Sequence, residues 1–418
     1  MPSSPTSHLT ELARRAKEAS RSLAAAPAGA RVDALHRAAD LLEERSVEIL
    51  SANAADLERA RGADADVTSL DRLRLDTTRV TSMAAGLRAV AGLPDPVGEV
   101  VDGWVRPNGL RVERVRVPLG VIGIIYENRP NVTSDAAGLC LKSGNAVLLR
   151  GSSSALSSNQ VIAEAMRDGL EKAGLPVGAV GLVEDTSRES AIAFMQLDGF
   201  VDCLIPRGGP DLVATVQEHA TVPYVLDGAG NCHVYVDAGA DLDMAEAIVV
   251  NAKTQRPGVC NAAETLLVHR AVAGDFVPRV AAALEGVELV GDAGAQALDP
   301  GIGQASEEDF ATEFLAMKLS VAVVDDLDAA MAHIARFSSG HSEAIVTNHL
   351  SSATRFVNEV DAASVVVNAS TRLVDGEALG LGAEIGISTQ KLHARGPMGV
   401  RELTSVKFVL TGDGQVRT

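Results

Sequence analysis

The sequence is poor in aromatic residues and in positive charge. Aromatic side chains make up 3% of the chain, so the stacking platforms that bind single-stranded nucleic acid are scarce. The formal net charge is −18, whereas proteins that bind nucleic acid present a basic face to the phosphates. These features predict no nucleic-acid partner, but they still allow a local basic pocket for a small anion.

Cysteine is also scarce. The four cysteines, Cys140, Cys203, Cys232 and Cys260, show no paired short spacing, so neither a zinc site nor a disulfide framework is predicted. We expect Cys203 and Cys232 to lie in the core, and His233 to be a packing residue, because adjacent strand residues face opposite sides. No metal site is expected.

Long hydrophobic runs are missing too. No apolar run approaches the roughly 20 residues that cross a bilayer. Residues 1–23 are polar and lack the apolar core of a signal peptide. Hydrophobic content of 46% with 22% charged residues is ordinary for a soluble α/β enzyme. The sequence therefore predicts no membrane partner and a cytoplasmic location.

Helical and strand periodicities divide the chain. Residues 8–92 carry apolar residues at helical spacing. From residue 121 onward, apolar segments of strand length alternate with helices, and the alternation resumes after Cys260. Repeated units of strand, loop and helix predict a doubly wound sheet that binds ligands at the carboxyl ends of its strands. With 418 residues the chain has room for two or three domains.

A two-residue period covers residues 97–117, which contain the strong hairpin turn signal Asn108-Gly109. A lone hairpin with many charged positions is marginally stable, so we expect it to pair with another subunit. The alternative is a solvated surface hairpin. The tail, residues 403–410, is also strand-like and could pair with the hairpin near Trp104.

Cys260 lies in a tight connection between a predicted helix and a predicted strand. Pro257 and Gly258 end the helix, because proline lacks an amide donor and glycine tolerates left-handed dihedrals. Lys253 and Arg256 are close in sequence, and nearby cations favour the nucleophilic thiolate over the thiol. The alternative is a small buried side chain, which is the common fate of a free cysteine.

Two loops at strand ends offer groups for a dinucleotide, although no Gly-x-Gly-x-x-Gly fingerprint opens the first unit. Arg150, Gly151 and Ser152 supply a cation, a flexible turn and a hydroxyl, which suit an adenosine ribose or its 2′-phosphate. Gly208 and Gly209 open a helix whose backbone donors suit a pyrophosphate. An ordinary structural loop is the alternative for both segments.

Several segments together carry a family resemblance. They are residues 127–133, 142–151, 205–209, 230–237, 332–343 and 383–399. On these segments the chain resembles the aldehyde dehydrogenase superfamily over nearly its whole length. The segment around His341 and the final segment are most similar to the gamma-glutamyl phosphate reductase family. The residues themselves assign no role to His341.

The resemblance implies an aldehyde dehydrogenase-like α/β fold, with a doubly wound cofactor-binding domain, an α/β catalytic domain and a small β oligomerisation element. Residues 1–97 and 118–236 would form the N-terminal helices and the dinucleotide-binding domain. Residues 237–394 would form the catalytic domain with the nucleophile. Residues 98–117 and 395–418 would form the oligomerisation element, as part of a homodimer or homotetramer.

The resemblance also implies site residues. Cys260 would be the nucleophile, and Asn131 would add its side-chain amide to an oxyanion hole beside the Cys260 backbone amide. Glu313, followed by Phe314, would touch the nicotinamide ribose. Arg150 stands where many relatives carry lysine, and a guanidinium there suits a 2′-phosphate, which favours NADPH over NADH.

The implied reaction is the NADPH-dependent reduction of L-glutamyl 5-phosphate to L-glutamate 5-semialdehyde and phosphate through a cysteine thioester. In the resembled family this is the second step of proline biosynthesis from glutamate. Arg129 and Arg256 are candidates for binding the phosphate or carboxylate of this small-molecule substrate, and surface ion pairs explain them about as well. Because the acyl phosphate is unstable, a transient contact with a glutamate 5-kinase is also expected.

One departure from the superfamily concerns the general base. Hydrolytic aldehyde dehydrogenases carry a glutamate that activates water for thioester hydrolysis, and the matching position here is Leu226, one residue before Asp227. Lacking this base fits a reductase that uses phosphate as the other acyl acceptor. A shift of one residue in the alignment would make Asp227 a base. The rival functions are a hydrolytic NAD(P)-dependent aldehyde dehydrogenase and an inactive scaffold.

Overall fold

The computed structural model describes residues 5–417. The helices are α1 (Pro5–Ala25), α2 (Ala28–Glu44), α3 (Ser46–Gly62), α4 (Val67–Leu73), α5 (Thr77–Gly92), α6 (Asn131–Lys142), α7 (Leu156–Lys172), α8 (Arg188–Met195), α9 (Pro210–His219), α10 (Leu242–Thr254), α11 (Arg270–Ala283), α12 (Ala293–Leu298), α13 (Glu307–Ala311), α14 (Leu327–Phe337) and α15 (Leu350–Glu359). The strands are β1 (Val100–Val105), β2 (Arg111–Pro118), β3 (Val121–Tyr126), β4 (Ala146–Arg150), β5 (Val180–Leu182), β6 (Cys203–Arg207), β7 (Cys232–Val236), β8 (Ala263–His269), β9 (Glu288–Gly291), β10 (Gly303–Gln304), β11 (Lys318–Val324), β12 (Ser342–Val346), β13 (Ser364–Val367), β14 (Ile387–Ser388), β15 (Gly396–Pro397) and β16 (Thr404–Thr411).

The chain forms two compact units. The first comprises the residues up to Leu226, Leu381–Gly386 and the residues from Met398 onward. The second comprises Asp227–Gly380 and Ile387–Pro397. The division after Leu226 precedes the expected boundary at residue 236, because β7 is a strand of the second unit's sheet and pairs with β8 and β12.

The first unit contains a parallel sheet with the strand order β5-β4-β3-β6. All six residues of β3 are buried, as expected for a strand covered on both faces of a parallel sheet. Because the strands are parallel, their terminal residues Tyr126, Arg150 and Arg207 lie along one edge. This order, with β3 between β4 and β6, corresponds to half of a doubly wound dinucleotide-binding sheet.

A separate antiparallel sheet in the first unit joins the hairpin to the tail, in the order β1-β2-β16. The pairing of the tail with the hairpin is therefore confirmed, and the partner of β16 is β2. The turn uses Gly109 at φ 83°, a left-handed conformation that suits glycine. The Trp104 and Phe408 rings meet edge to face with centroids 6.5 Å apart.

The second unit contains a parallel sheet with the strand order β10-β9-β11-β8-β7-β12-β13. Its inner strands β7 and β12 are buried along their whole length. Helix α10 begins at the cap Asp241, whose carboxylate accepts from the backbone amides of Asp243 and Met244, and it leads directly into the loop that carries Cys260. The α/β alternation expected after Cys260 is confirmed.

Across residues 5–417, no helix combines the length and the apolar character that a bilayer crossing requires.

Candidate active site

Cys260 lies on the loop between α10, which ends at Thr254, and β8, which begins at Ala263. It is partly exposed, whereas Cys140, Cys203 and Cys232 are buried. Burial raises the pKa of each of these three thiols above its ordinary value. Cys260 is therefore the cysteine best placed to react with a dissolved substrate.

Two residues contact the Cys260 carbonyl oxygen: Gly230, which precedes β7, and Cys232, the first residue of β7. A Cβ atom on Gly230 would lie 1.5 Å from the Cys260 carbonyl oxygen, so only glycine fits there. The Cys232 thiol donates to the same oxygen at 3.2 Å. Cys232 thus lies in the core as expected, and it also holds the loop of the nucleophile.

Glu313 is connected to this support. Its Oε1 accepts a hydrogen bond from the Gly230 amide at 2.8 Å, and burial raises the pKa of Glu313. The neighbouring Phe314 ring lies under the Lys318 ammonium, with 4.9 Å between the nitrogen and the ring centroid. Glu313, Phe314 and Cys260 all belong to the second unit.

The positive charge of Lys253 is paired with Glu264 and is therefore not available to stabilise a Cys260 thiolate. Its ammonium lies 2.6 Å from Glu264 Oε2, and both side chains are fully buried. Burial lowers the pKa of Lys253 and raises that of Glu264. The expectation from sequence proximity is corrected here, because a buried ammonium needs a partner and Glu264 provides it.

Two arginines lie at or near the Cys260 loop. The Arg256 side chain is exposed and forms no ion pair with residues 5–417. Arg372 donates through Nε to Gln255 Oε1 at 2.8 Å, and its Nη1 donates to the Asn261 side-chain oxygen. Arg372 was not expected from the sequence, because nothing near it in the chain links it to the residue that follows Cys260.

Asn131 is the first residue of α6 in the first unit. Its Nδ2 donates to Asp135 Oδ2 at 2.8 Å, which fixes the orientation of the amide and leaves a second N–H on the same nitrogen. Burial raises the pKa of Asp135 to about 6, against the hydrogen bonds from Asn131 and Ser134. Arg129, two residues earlier, is half-buried.

Gly208 and Gly209, the glycines expected at the phosphates of a dinucleotide, lie at the carboxyl end of β6 in the first unit. Gly209 precedes α9, whose first residue is Pro210, and the Gly209 amide donates to Glu127 Oε2 at 3.0 Å. A Cβ atom on Gly208 would lie 2.6 Å from the same carboxylate oxygen. A carboxylate therefore already lies where the helix dipole and amide favour an anion, at the crevice between β3 and β6.

Arg150 is partly engaged with the protein. Its Nη2 donates to the carbonyls of Thr186 and Ser187 at 2.7 and 3.0 Å, and burial lowers the pKa of the guanidinium. Its Nε is buried without a partner in the described part of the chain. Gly151 has no room for a side chain, since a Cβ would lie 2.3 Å from Asn159 Nδ2. The Ser152 hydroxyl donates to Asn128 at 3.2 Å.

Asp227 joins two segments of the second unit. Its Oδ1 accepts from the Ile387 amide at 2.8 Å, and the Gly228 amide donates to the Ile387 carbonyl at 2.9 Å. One oxygen of the carboxylate that a shifted alignment would make a base is therefore bound to the backbone.

His233 and His341 each make buried polar contacts in the second unit. His233 is not a simple packing residue, because its Nδ1 lies 3.0 Å from Glu343 Oε2 in a fully buried pair. His341 Nδ1 lies 2.8 Å from the Ser342 hydroxyl and 3.8 Å from the Cys232 sulfur. Burial lowers the pKa of His341 to about 4, so its ring is neutral at neutral pH. The sequence alone could not distinguish these buried polar contacts from apolar packing.

Comparisons with known proteins identify the family of the chain. The sequence matches the aldehyde dehydrogenase family over residues 1–312. It is 54% identical to the gamma-glutamyl phosphate reductase of Heliobacterium modesticaldum, covering 98% of this chain and 99% of that protein. It is also 54% identical to the gamma-glutamyl phosphate reductase of Thermobifida fusca, covering 97% of this chain and 98% of that protein.

A solved structure gives the same result. The crystal structure of gamma-glutamyl phosphate reductase from Thermotoga maritima superposes with a TM-score of 0.96 at 47% identity, covering 98% of this chain and 99% of that one. An acetylating aldehyde dehydrogenase from Geobacillus thermoglucosidasius shares the fold, with a TM-score of 0.71 at 18% identity over 99% of this chain and 98% of that one. The chain belongs to the aldehyde dehydrogenase family and, within it, to the gamma-glutamyl phosphate reductases.

Proposed function

We propose that the chain catalyses the NADPH-dependent reduction of L-glutamyl 5-phosphate to L-glutamate 5-semialdehyde and phosphate, the second step of proline biosynthesis from glutamate. The observation that carries this proposal is Cys260, a partly exposed thiol on a loop supported by Gly230, in a chain with near full-length relatives named gamma-glutamyl phosphate reductase. The other cysteines are buried, which supports Cys260 as the nucleophile.

The first half of the proposed reaction forms an acyl-enzyme. The Cys260 thiolate attacks the acyl carbon of the acyl phosphate, and the carbonyl oxygen takes the negative charge. The Asn131 side-chain amide and the Cys260 backbone amide would donate to this oxyanion. The intermediate collapses with loss of phosphate and leaves a thioester on Cys260. The hydrogen bond from Asn131 to Asp135 supports a fixed amide orientation for this task.

The second half reduces the thioester. When bound, the reduced nicotinamide supplies the hydride that this step needs. The carbon that accepts the hydride becomes a thiohemiacetal alkoxide on Cys260, and its collapse expels the thiolate and releases the aldehyde. The oxyanion donors proposed for the first half serve this alkoxide as well, because it forms on the same oxygen.

The cofactor-binding roles that follow are proposed residue by residue from the family resemblance. Gly208 and Gly209 would receive the pyrophosphate at the start of α9, where Glu127 now accepts a backbone hydrogen bond and would have to give way to it. Arg150, Gly151 and Ser152 would lie at the adenosine ribose, with the guanidinium favouring a 2′-phosphate. Glu313 and Phe314 would lie at the nicotinamide ribose. Comparing kcat/KM with NADPH and NADH tests the preference, and equal values would remove it.

The test that separates reduction from hydrolysis runs the reaction backward. With L-glutamate 5-semialdehyde and NADP⁺, we expect NADP⁺ reduction to depend on added phosphate, because Leu226 occupies the position of the hydrolytic glutamate. Saturable dependence on phosphate, with acyl phosphate as product, supports the reductase. Full turnover without phosphate would favour a hydrolytic NAD(P)-dependent aldehyde dehydrogenase. No turnover under either condition, in folded protein, would favour the inactive scaffold.

We further propose that the sheet β1-β2-β16 is an interface of a homodimer or homotetramer. Its apolar side chains Val105, Phe408 and Leu410 are 66%, 59% and 59% exposed, which is unusual for residues of this type in a sheet. Sedimentation of a Phe408→Lys, Leu410→Lys variant checks this, and an unchanged mass would contradict it. A transient contact with a glutamate 5-kinase is a separate proposal, tested by co-purification.

A further inference from the structure

A buried ion pair between Lys253 and Glu264 joins the two ends of the loop that carries Cys260. Lys253 lies in the last turn of α10, and Glu264 is the second residue of β8, so the pair joins the two elements from which the loop emerges. The Lys253 ammonium and Glu264 Oε2 are 2.6 Å apart, and neither side chain is exposed to solvent. A buried ion pair is weak evidence for stability, since apolar residues of similar size often serve as well. The contacts of the pair with neighbouring segments point instead to a geometric role.

Glu264 has a second contact that reaches a different segment. Its Oε1 accepts a hydrogen bond from the Leu315 amide at 3.2 Å. Leu315 has φ 52°, a left-handed conformation that is unfavourable for a residue with a branched side chain. Leu315 is two residues after Glu313, so the Glu264 carboxylate holds the backbone close to Glu313 in place.

These contacts connect three segments: the 313–315 segment, the Gly230 segment and the loop that carries Cys260. Glu313 accepts from the Gly230 amide at 2.8 Å, and Gly230 lies directly against the Cys260 carbonyl oxygen. Glu264 connects the Leu315 amide to the ion pair that joins the two ends of this loop. The 313–315 segment is therefore held at two points, at Glu313 by the Gly230 amide and at Leu315 by the Glu264 carboxylate.

We propose that Glu264 is a positioning residue, held by Lys253, that sets the place of the Glu313 segment relative to Cys260 and thereby governs cofactor binding and hydride transfer rather than the reactivity of the thiol. This inference rests on the proposed function, in which Glu313 touches the nicotinamide ribose. Glu264 acts through the Leu315 amide and does not touch substrate. The Lys253 ammonium orients the Glu264 carboxylate through their 2.6 Å contact and lowers its pKa, against the burial that raises it.

The experiment compares two double variants that differ in one hydrogen bond. In Lys253→Met, Glu264→Gln, both charges are removed and a side-chain oxygen remains to accept from Leu315. In Lys253→Met, Glu264→Leu, the charges and the acceptor are both removed. Neither variant leaves an unpaired buried charge, which would be the main threat to folding. Circular dichroism and the melting temperature identify folded protein before any comparison.

The first readouts use protein without cofactor. We expect the hydrogen exchange of the 312–317 segment to be slow in wild type and in the Gln variant, and fast in the Leu variant. The rate of Cys260 alkylation by iodoacetamide should stay within about twofold of wild type in both, because the thiol is not the target of the pair. Equal exchange in the Gln and Leu variants would overturn the proposal.

The next readouts concern the cofactor. We expect the NADPH dissociation constant, measured by nicotinamide fluorescence, to rise about tenfold in the Leu variant relative to the Gln variant, as the loss of one hydrogen bond suggests. The Leu variant should also show a larger isotope effect with C4-deuterated NADPH, because hydride transfer becomes slower. Equal dissociation constants and isotope effects in the two variants would overturn the inference. Failure of wild type to turn over semialdehyde with phosphate would instead remove the proposed function, since exchange and cofactor affinity do not depend on turnover.

Discussion

Gly230 lies so close to Cys260 that a Cβ atom on the glycine would be 1.5 Å from the cysteine carbonyl oxygen. The contact is with backbone, which cannot rotate away as a side chain could. The position of the reactive loop therefore depends on a missing side chain in the segment before β7. This relationship gives the most direct way to disturb the nucleophile without changing it.

Gly230→Ala should move the Cys260 loop by an ångström or more. Because a misplacement of this size can lower rates by about 10²-fold, we expect kcat to fall by at least that factor. Steady-state kinetics of semialdehyde oxidation measures the loss. Gly274→Ala is the matched control, since a Cβ there meets nothing within 4 Å and the residue lies in α11. It should leave kcat unchanged and add slightly to stability. Normal kcat in Gly230→Ala would contradict the role of this contact.

Cys260→Ala should abolish phosphate-dependent oxidation of the semialdehyde, because no other described cysteine is exposed enough to replace it. Mass spectrometry after brief iodoacetamide treatment of wild type should find Cys260 modified first. Cys203→Ala is the control, since this residue is buried in β6 and should change stability rather than turnover. Measurable turnover in Cys260→Ala would remove the nucleophile assignment.

Asn131→Ala should lower kcat by ~10²–10³, the usual effect of losing one oxyanion donor, while the rate of Cys260 alkylation stays near that of wild type. The paired control is Asp135→Asn, which keeps an oxygen that can accept from Asn131 Nδ2 and should reduce kcat far less. Equal effects of the two substitutions would indicate that α6 is disturbed as a whole.

Arg256 and Arg372 give a comparison of two cations near the nucleophile. Arg256→Met and Arg372→Met should each raise KM for phosphate or for the semialdehyde, and the substrate affected identifies which anion each guanidinium meets. We expect the larger loss for Arg372, whose side chain is held in place by Gln255 and Asn261. Unchanged KM values for both substrates in both variants would exclude these arginines from substrate binding.

His333→Phe should flatten the acid side of the stability profile. Burial, with smaller effects from His233 and Arg336, lowers the pKa of His333 to about 3. The unfolded chain therefore binds the proton more readily below pH 6.5, and stability falls as pH decreases. From pH 7.5 to 5.5 this group should account for a loss of about 1 kcal/mol.

Phenylalanine suits this position because the His333 ring packs against Phe310 and Phe337, with centroids 5.1 and 4.7 Å away. The Nε2 atom of His333 has no hydrogen-bond partner among residues 5–417, so the substitution removes no hydrogen bond of that atom. Urea unfolding at the two pH values measures the slope. An identical pH dependence of stability in wild type and variant would show that the pKa of His333 in the folded protein is not lowered.

The strands and the general organisation could be predicted from the sequence because their signals are local. The apolar run of β3 and the turn signal at Asn108-Gly109 need no knowledge of distant residues. The boundary between the units after residue 226 was harder to predict from the sequence, because the apolar residues of β7 would suit either of the two parallel sheets.

The side-chain partners were hardest to predict. Lys253 is eleven positions before Glu264, and whether their side chains meet depends on how the intervening loop folds. Arg372 reaches Asn261 from a segment far along the chain, and His233 meets Glu343 across two neighbouring parallel strands. Such pairs follow from the sheet order, which the local sequence patterns do not determine.

The last long strand of the chain, β16, pairs with β2, and the Leu403 carbonyl accepts from Asn145 Nδ2 at 2.8 Å. The whole second unit lies between β2 and β16 in sequence, so it is translated after β2 and before β16. While a ribosome is still making that unit, β2 has an open edge that other strands could occupy. A nascent chain therefore has to keep this edge shielded until β16 has been made and can pair with β2, and slower synthesis of the second unit should favour aggregation of the nascent chains.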